Sequence, residues 1–284
     1  MVLFPDNYDE SWTLVESIER RGIGLHSGEF SEVSLRPYDK PGFYVSWIGS
    51  SQSPILLTPK QVIDTPLCTT HDLGNGKLLA TVEHLLAALS GCGLTHAHIQ
   101  VSGNEIPLLD GSALDWVEAI KEAGLKKVSS NRNHSPLIDN PVVKSRGDSF
   151  IVATPSRKFK LIGVIDFPYK AIGKQVFSIE LTPKMFVQEI APARTFGFKD
   201  QLEKLKEAGL IKGGDLDNAL VCDGNNWVNP PLRFQDEPVR HKILDLIGDL
   251  SLVGFPKAQI LVYKGSHGLH KDFASALFNE CSSN

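Results

Sequence analysis

The pattern of apolar residues changes in the same order twice along the chain. In each half, short runs that alternate apolar and polar residues, typical of β-strands, precede segments in which apolar residues recur at helical spacing. Residues 126–136, KKVSSNRNHSP, lie between the halves and are polar, rich in turn formers and without periodicity, as linkers between compact units are. The sequence therefore predicts an α+β fold with two domains, residues 1–130 and 137–284, joined by a linker at 131–136.

Each half supplies its own predicted elements. Apolar residues at helical spacing after Thr81 predict a helix of about three turns that stops at Gly91. Asp110 to Ser112 precede a second predicted helix, which ends near Gly124. The remaining predicted helices are 199–208, 239–250 and 271–278, and the predicted strands are 31–36, 42–47, 55–58, 96–101, 141–144, 150–153, 159–167, 176–181 and 259–263.

The charge and cysteine content argue against several classes of protein. The 284 residues carry 29 Lys and Arg against 33 Asp and Glu, a net charge of −4 without long blocks of one sign, so no nucleic-acid partner is expected. The cysteines form no CxxC pair, which fits neither a disulfide framework nor a thiolate zinc site and indicates a reducing compartment. They are Cys68, Cys92, Cys222 and Cys281.

The N-terminal segment lacks the features of an export signal. Residues 1–19 mix acidic side chains, among them Asp6, Asp9, Glu10 and Glu16, with short apolar pieces, without a basic start or a continuous apolar stretch. No run approaches about 18 apolar residues, the length of a membrane-spanning helix. We therefore expect a soluble protein without a transmembrane segment. Its expected compartment is the cytoplasm of a bacterium, or an organelle matrix such as that of mitochondria for a mature eukaryotic form.

A polar stripe follows the predicted helix at 239–250. His241, Asp245 and Asp249 are spaced four residues apart and so share one face, whereas the other faces are apolar. An imidazole and a carboxylate one turn apart can bind the same metal ion. The alternative is a solvated face on a surface helix. The apolar remainder of the helix favours burial, and buried carboxylates need partners.

A second candidate site opens the first predicted helix. Adjacent helical residues point about 100° apart, so His84 can face a metal ion while Glu83 reaches a neighbouring water molecule as a general base. In the alternative interpretation, Glu83 only complements the helix dipole and His84 is a hydrogen-bonded core residue.

Two glycine-containing segments complete the set of candidates. The segment 264–270, KGSHGLH, places His267 and His270 in a predicted loop directly after a strand, where catalytic groups often lie, although either could be an ordinary surface residue. The segment 21–28, RGIGLHSG, is not a dinucleotide-binding loop, because no βαβ unit with a following acidic residue surrounds it.

Eight motifs occur in one order along nearly the whole chain. They are GIGLHSG at 22–28, DTPLCTT at 64–70, TVEHLLAAL at 81–89, EIPLLDGSA at 105–113, ARTFGF at 193–198, GGDLDNALV at 213–221, LRFQDEPVRHKILDLIGDL at 232–250 and YKGSHGLH at 263–270. Any one of them could occur by chance, but the ordered set closely resembles the UDP-3-O-acyl-N-acetylglucosamine deacetylase family, the zinc enzymes of early lipid A synthesis.

The resemblance implies a metal centre and a catalytic base. His84, His241 and Asp245 would hold Zn²⁺ and leave a fourth position open for water, as catalytic zinc sites do. Glu83 would be the general base.

The resemblance also implies the remaining catalytic and substrate-binding residues. His267 would be the general acid, Asp249 would stabilise its charged form, and Thr195 would donate a hydrogen bond to the developing oxyanion. The residues expected to contact the substrate are Lys242 and Lys264 at the anionic nucleotide, Asp166 and Phe167 at the uridine, and Phe196 and Phe198.

The fold of this family implies the domain plan. It consists of two similar α+β domains, each a mainly antiparallel sheet with two helices, and the helices of both are packed between the two sheets. An inserted βαβ unit in the second domain, here near 196–222, would form a passage for the acyl chain, although this segment could also be ordinary core. Its expected lining is Phe198, Leu202, Leu210, Ile211 and Leu216.

The expected activity is hydrolysis of the N-acetyl amide of UDP-3-O-acyl-N-acetylglucosamine, with release of acetate. This nucleotide sugar is the expected small-molecule partner, and the chain is expected to be a monomer. Two alternatives stay open. One is a catalytically silent protein that binds a nucleotide sugar or a lipid intermediate on the same scaffold, and the other is a zinc amidase acting on another N-acetyl sugar.

Overall fold

The computed structural model describes residues 4–129 and 136–283, so the predicted linker at 131–136 lies outside the described residues except for Pro136. The strands β1 to β18 are Trp12–Leu14, Ile18–Ile23, Phe30–Arg36, Gly42–Trp47, Ile55–Leu56, Val62–Ile63, Thr70–Asp72, Leu78–Leu79, His96–Val101, Leu125–Lys127, Val142–Arg146, Ser149–Pro155, Lys160–Asp166, Lys174–Glu180, Phe196–Phe198, Leu220–Asp223, Asn226–Trp227 and Ala258–Tyr263. The helices α1 to α6 are Glu83–Gly91, Leu114–Ala123, Pro183–Met185, Leu202–Glu207, Glu237–Leu250 and His267–Ser283.

Two five-stranded sheets share one strand plan. The first has the order β2-β3-β9-β4-β5 and the second has the order β11-β12-β18-β13-β14. In each sheet the central strand is the one that comes last along the chain, β9 or β18. It pairs antiparallel with one neighbour and parallel with the other. All other pairs within these two sheets are antiparallel. The prediction of an α+β fold with two similar, mainly antiparallel halves is confirmed.

Alternation of side chains gives each sheet a buried face. Val33 and Leu35 on β3 are completely buried beside Ile99 and Val101 of β9. In the second sheet, Ile260 on the central strand β18 is likewise completely buried. Because successive strand residues point to opposite faces, this period of two places the apolar side chains under the helices.

Helices from both halves meet in one core. Helix α1 packs against α2 and α5, and α5 also packs against α6 and β13. Helices α1 and α5 approach each other closely at Gly248, where an added Cβ would collide with the carbonyl oxygen of Glu83. A side chain at position 248 would therefore push apart the two helices that carry the candidate metal ligands.

A smaller three-stranded unit lies at 196–227. Strands β15 and β16 are parallel, α4 lies between them in the chain, and β17 pairs antiparallel with β16. The predicted helix at 199–208 is divided into a 3-10 turn, Lys199–Gln201, followed by α4. None of the described helices is long and apolar enough to cross a membrane.

The last helix differs from its prediction. It begins at His267 and not at Lys271, so His267 and His270 lie on the first turn of α6 and not in a loop. The backbone N–H of His270 donates to the carbonyl oxygen of Ser266 at 2.8 Å, which starts the helical hydrogen-bond pattern. Because Gly268 has low helical propensity, the sequence did not indicate that the helix begins at His267.

Candidate active site

The start of α1 is held by a residue with an unusual backbone. Thr81 has a φ of 57°, a left-handed value that is uncommon for a β-branched residue. Its hydroxyl donates to Oε1 of Glu105 at 2.8 Å. This contact fixes the turn before the helix, so Glu83 and His84 leave the first turn of α1 in defined directions.

His84, His241 and Asp245 come together beneath the junction of the two halves. Nε2 of His84 lies 3.6 Å from Oδ1 of Asp245, and Nε2 of His241 lies 3.4 Å from the same oxygen. One ligand atom from each residue lies within 4.8 Å of the others, and all three side chains are buried. The solvated-face alternative for His241 and Asp245 is therefore wrong.

The donor atoms of this group fit a metal ion. Nδ1 of His241 lies 3.0 Å from the carbonyl oxygen of Ala193, so this nitrogen carries the proton and the lone pair of Nε2 faces His84 and Asp245. Nδ1 of His84 is buried and has no hydrogen-bond partner among the described residues. Two imidazoles and one carboxylate, with Nε2 of each ring facing the carboxylate, form the kind of donor set that zinc takes in catalytic sites.

Burial and charge set the protonation of the group without a metal ion. Burial of His241 is the largest cause that lowers its pKa, to about 3, so its ring is neutral and available as a ligand. Burial raises the pKa of Asp245, but the charge of Lys242 and the effects of the neighbouring histidines together outweigh burial and hold the pKa well below its usual range. Nζ of Lys242 lies 2.9 Å from Oδ2 of Asp245. Nε2 of His241 and the carboxylate of Asp245 are thus deprotonated at neutral pH, as metal binding requires.

Glu83 on α1 and His267 on α6 lie beside the group formed by His84, His241 and Asp245. Oε1 of Glu83 is 3.9 Å from Nε2 of His267. Burial raises the pKa of Glu83, which makes the carboxylate a stronger base. Burial lowers the pKa of His267, but the negative charges of Asp249, Glu83 and Asp245 outweigh this effect and raise it to about 9. One group is therefore poised to take a proton while the other carries one.

Asp249 has three hydrogen-bonding neighbours, two of which the sequence interpretation missed. Oδ2 lies 2.9 Å from Nδ1 of His267 and 2.8 Å from Nδ1 of His270, and Oδ1 accepts a hydrogen bond from the hydroxyl of Thr69. His270 is three residues after His267, a spacing that would have indicated a shared helical face if the helix had been placed correctly. Thr69 belongs to the DTPLCTT motif, to which the motif comparison assigned no role.

Thr195 and His241 are held by one backbone segment. The carboxylate of Glu237 is fully buried and accepts from the backbone N–H and Nε of Arg194, each at 2.9 Å. The adjacent Thr195 donates its backbone N–H to Gly111 at 2.7 Å. Residues 193–195 are consecutive, and the carbonyl oxygen of Ala193 contacts His241. The ion pair between Arg194 and Glu237 therefore fixes Thr195 relative to His241.

A cavity of about 860 Å³ opens above these residues. Its floor contains Glu83, His84, Thr195, His241, Asp245 and His267. Its walls include Lys242 and the aromatic side chains of Phe167, Phe196 and Phe198. The ring centroid of Phe167 lies 5.6 Å from that of Phe196 and 5.3 Å from that of Phe198, so the three rings form one apolar wall. The volume lies in the range of ligand pockets, about 300–1,000 Å³.

Three residues expected in the substrate site lie outside the cavity lining. Lys264 is paired with Asp148 at 2.7 Å and does not belong to the cavity lining. Asp166 accepts from the hydroxyl of Tyr263 at 3.3 Å, next to the lining residue Phe167. Leu210 is also outside the lining, whereas Phe198, Leu202, Ile211 and Leu216 belong to it.

The fold and the site together define an α+β protein whose two halves meet at a buried His–His–Asp group able to hold a metal ion. Comparison with known sequences gives the family. A sequence model described as LpxC, UDP-3-O-acyl N-acetylglycosamine deacetylase, matches residues 11–279. The chain belongs to this family.

Similar proteins occur in cyanobacteria and in a plant. A protein of Nostoc sp. named UDP-3-O-acyl-N-acetylglucosamine deacetylase is 47% identical over 93% of this chain and 97% of its own length. A Synechocystis protein of the same name is 44% identical over the same shares. An Arabidopsis thaliana protein named "Probable UDP-3-O-acyl-N-acetylglucosamine deacetylase 1, mitochondrial" is 41% identical over 93% of this chain and 87% of its own length.

Proposed function

We propose that this chain is a zinc-dependent deacetylase that hydrolyses the N-acetyl amide of UDP-3-O-acyl-N-acetylglucosamine and releases acetate, in lipid A biosynthesis. The observation that carries the proposal is the meeting of Glu83 and His267 beside the buried His84–His241–Asp245 group on the floor of one cavity. The names of the relatives support the same reaction.

His84, His241 and Asp245 would hold the zinc ion. When bound there, the metal supplies Lewis-acid chemistry, polarising the amide carbonyl and acidifying water. With only three protein ligands, the ion would have a further position for water or substrate, which distinguishes catalytic from structural zinc sites.

Glu83 and His267 divide the proton transfers between them. Glu83 takes the proton of the attacking water, since its buried carboxylate has a raised pKa and is a stronger base than an exposed one. His267, which carries a proton at neutral pH because of Asp249, delivers it to the departing amine. Thr195 donates a hydrogen bond to the oxyanion that forms on the acetyl carbonyl.

The cavity walls suit a substrate with a charged and an apolar part. Nζ of Lys242 lies 5.7 Å from the ring centre of Phe196, so a cation and an aromatic face lie side by side next to Asp245. Lys242 would face the diphosphate, Phe167 would stack on the uracil ring, and Asp166 and Lys264 would contact the nucleotide at the rim. The 196–222 unit would guide the acyl chain along Phe196, Phe198, Leu202, Ile211 and Leu216.

All proposed site residues come from one chain, so a monomer is sufficient for the reaction. For the compartment, the cyanobacterial relatives support a cytoplasmic location if the source is a bacterium. The name of the Arabidopsis relative supports an organelle matrix if it is a eukaryote.

The direct test is a deacetylation assay on UDP-3-O-acyl-N-acetylglucosamine, with the purified chain as isolated, after chelation, and after zinc is restored. We expect acetate release that disappears on chelation and returns with zinc. A Glu83→Gln preparation, purified in the same way, controls for contaminating deacetylases. Binding of the substrate without hydrolysis in every zinc-loaded preparation would favour the silent binding protein.

Truncated substrates test the specificity. One lacks the uridine diphosphate and the other lacks the acyl chain. We expect kcat/KM to fall by about tenfold or more for each, because binding to remote groups contributes to the transition state. Equal kcat/KM for all three substrates would instead support an amidase for another N-acetyl sugar.

A further inference from the structure

We propose that Thr69 is a positioning residue that sets the general base and the general acid relative to each other. The inference rests on the proposed function, in which Glu83 and His267 have these roles. It adds a function for the DTPLCTT motif, of which Thr69 is the sixth residue.

The backbone of Thr69 contacts the start of α1. Its N–H donates to Oε2 of Glu83 at 3.1 Å, and its carbonyl oxygen accepts from the N–H of Val82 at 3.4 Å. Thr69 is 4% exposed and Glu83 is 3% exposed, so water competes little for these bonds. The backbone bond leaves Oε1 of Glu83 as the oxygen that faces His267, at 3.9 Å.

The side chain of Thr69 contacts the other half of the site. Its hydroxyl donates to Oδ1 of Asp249, and its oxygen lies 3.0 Å from Nδ1 of His267. Because an ionised carboxylate can only accept, Nδ1 of His267, 2.9 Å from Oδ2 of Asp249, carries a proton, and this N–H is shared between that oxygen and the hydroxyl oxygen of Thr69. The hydroxyl thus fixes both the carboxylate and the imidazole plane.

One residue therefore touches the base, the acid and the partner of the acid. Two catalytic groups on separate helices, α1 and α6, would otherwise depend on the packing of whole elements for their mutual position. Proton transfer is sensitive to displacements of about 1 Å, which can cost about a hundredfold in rate. The Thr69 hydroxyl should consequently affect kcat more than substrate binding.

The test replaces the hydroxyl and keeps the shape. Thr69→Val retains the backbone bonds to α1 and removes the contacts with Asp249 and His267. We expect kcat to fall about 10- to 100-fold, with KM and zinc content changed by less than about threefold. Thr69→Ser should recover kcat to within about fivefold of wild type, because it restores the hydroxyl.

Thr70→Val is the matched control. Thr70 is equally buried, at 4% exposure, but its hydroxyl contacts Thr65 at 3.2 Å and the sulfur of Cys68 at 3.6 Å, on the neighbouring turn. Its kcat should stay within about threefold of wild type. Equal losses of kcat in Thr69→Val and Thr70→Val, or no recovery in Thr69→Ser, would overturn the proposal.

A double-mutant cycle keeps the test valid if Thr69→Val also loses stability. In an Asp249→Asn background, Thr69→Val should lower kcat by less than about threefold further, because both changes act through the same imidazole. Independent, multiplicative losses contradict the proposal.

The low-field NMR signal of the His267 Nδ1 proton gives a readout that needs no activity. Its assignment comes from its loss in His267→Gln. We expect the signal to shift or exchange faster in Thr69→Val and to stay in place in Thr70→Val. An inactive wild type with this NMR pattern would refute the proposed deacetylase and leave the positioning contact intact, whereas an active wild type with an unchanged signal in Thr69→Val would refute the positioning role alone.

Discussion

Nδ1 of His267 lies 2.9 Å from Oδ2 of Asp249, and the two side chains come from α6 and α5. The carboxylate is the strongest of the charges that raise the pKa of His267 to about 9, against the lowering effect of burial. The same contact lowers the pKa of Asp249 to about 2, although burial raises it. The pair therefore remains ionised across the neutral range.

The pH dependence of kcat/KM follows from this pair. His267 must be protonated to act as an acid, so activity should fall as the pH rises through about 9. Glu83 must be deprotonated, so activity should also fall in acid, and the profile should be bell-shaped. Asp249→Asn removes the charge that raises the pKa of His267 and should move the alkaline limb to lower pH. An alkaline limb at the same pH in both proteins would assign it to another group.

Glu83→Gln should lower kcat by about 10²- to 10⁴-fold, because the amide cannot accept the proton of water. The substitution conserves size, and the amide oxygen can still accept from the N–H of Thr69. Zinc content, measured by elemental analysis, should stay within about 20% of wild type if the side chain is a base and not a ligand. Near-wild-type activity in the zinc-loaded variant is the outcome that excludes Glu83 as the base.

Wild-type protein should bind about one zinc ion per chain, the number that a single catalytic site holds. His241→Ala and Asp245→Ala should each weaken zinc binding by about 100-fold or more, since each removes a direct ligand. His98→Ala is the control, because His98 contacts Ser46 at 2.8 Å on the first sheet, away from the site. Full occupancy in both ligand variants would rule out this group as the zinc site.

His71 links stability to pH. Its ring is completely buried, neither nitrogen has a hydrogen-bond partner among the described residues, and burial lowers its pKa to about 4 despite the opposing charge of Asp249. Unfolded His71 titrates near 6.5, so between pH 6.5 and 4 the unfolded chain binds more protons and stability falls as the pH falls. His71→Leu should reduce the loss of unfolding free energy between pH 7 and 4.5 by about 2 kcal/mol.

Denaturant titration at the two pH values measures this difference. His98 is half-buried and hydrogen-bonded, so His98→Leu tests whether removal of any histidine gives the same result. An identical pH-dependent loss in wild type and His71→Leu would show that His71 is not the group responsible.

The architecture could be predicted where local patterns determine it. Alternation along β3 and β9 and the apolar spacing of α1 indicated the strands and the helix because these elements bury one face. The start of α6 was missed because it depends on a turn at Ser266 and tolerates Gly268 within the helix. The shared strand order of the two sheets could not be read from sequence, because it arises from pairing between distant segments.

In the candidate site, too, local spacing could be read from the sequence, whereas contacts between distant segments could not. The helical spacing of His241 and Asp245 was visible in the sequence, but the approach of His84 from α1 depends on the contact at Gly248, far away along the chain. Motif order suggested that these residues meet. Thr69 carried no such signal, since a threonine in a turn has many roles and its contacts with Glu83 and Asp249 arise only in the folded chain.

Anomalous diffraction at the zinc absorption edge, from crystals of the active protein, tests the central proposal most directly. The proposed site predicts one strong peak within about 2.0–2.2 Å of Nε2 of His84, Nε2 of His241 and a carboxylate oxygen of Asp245. Crystals of catalytically active protein with no peak at this group, or with the zinc bound by other residues, would contradict it.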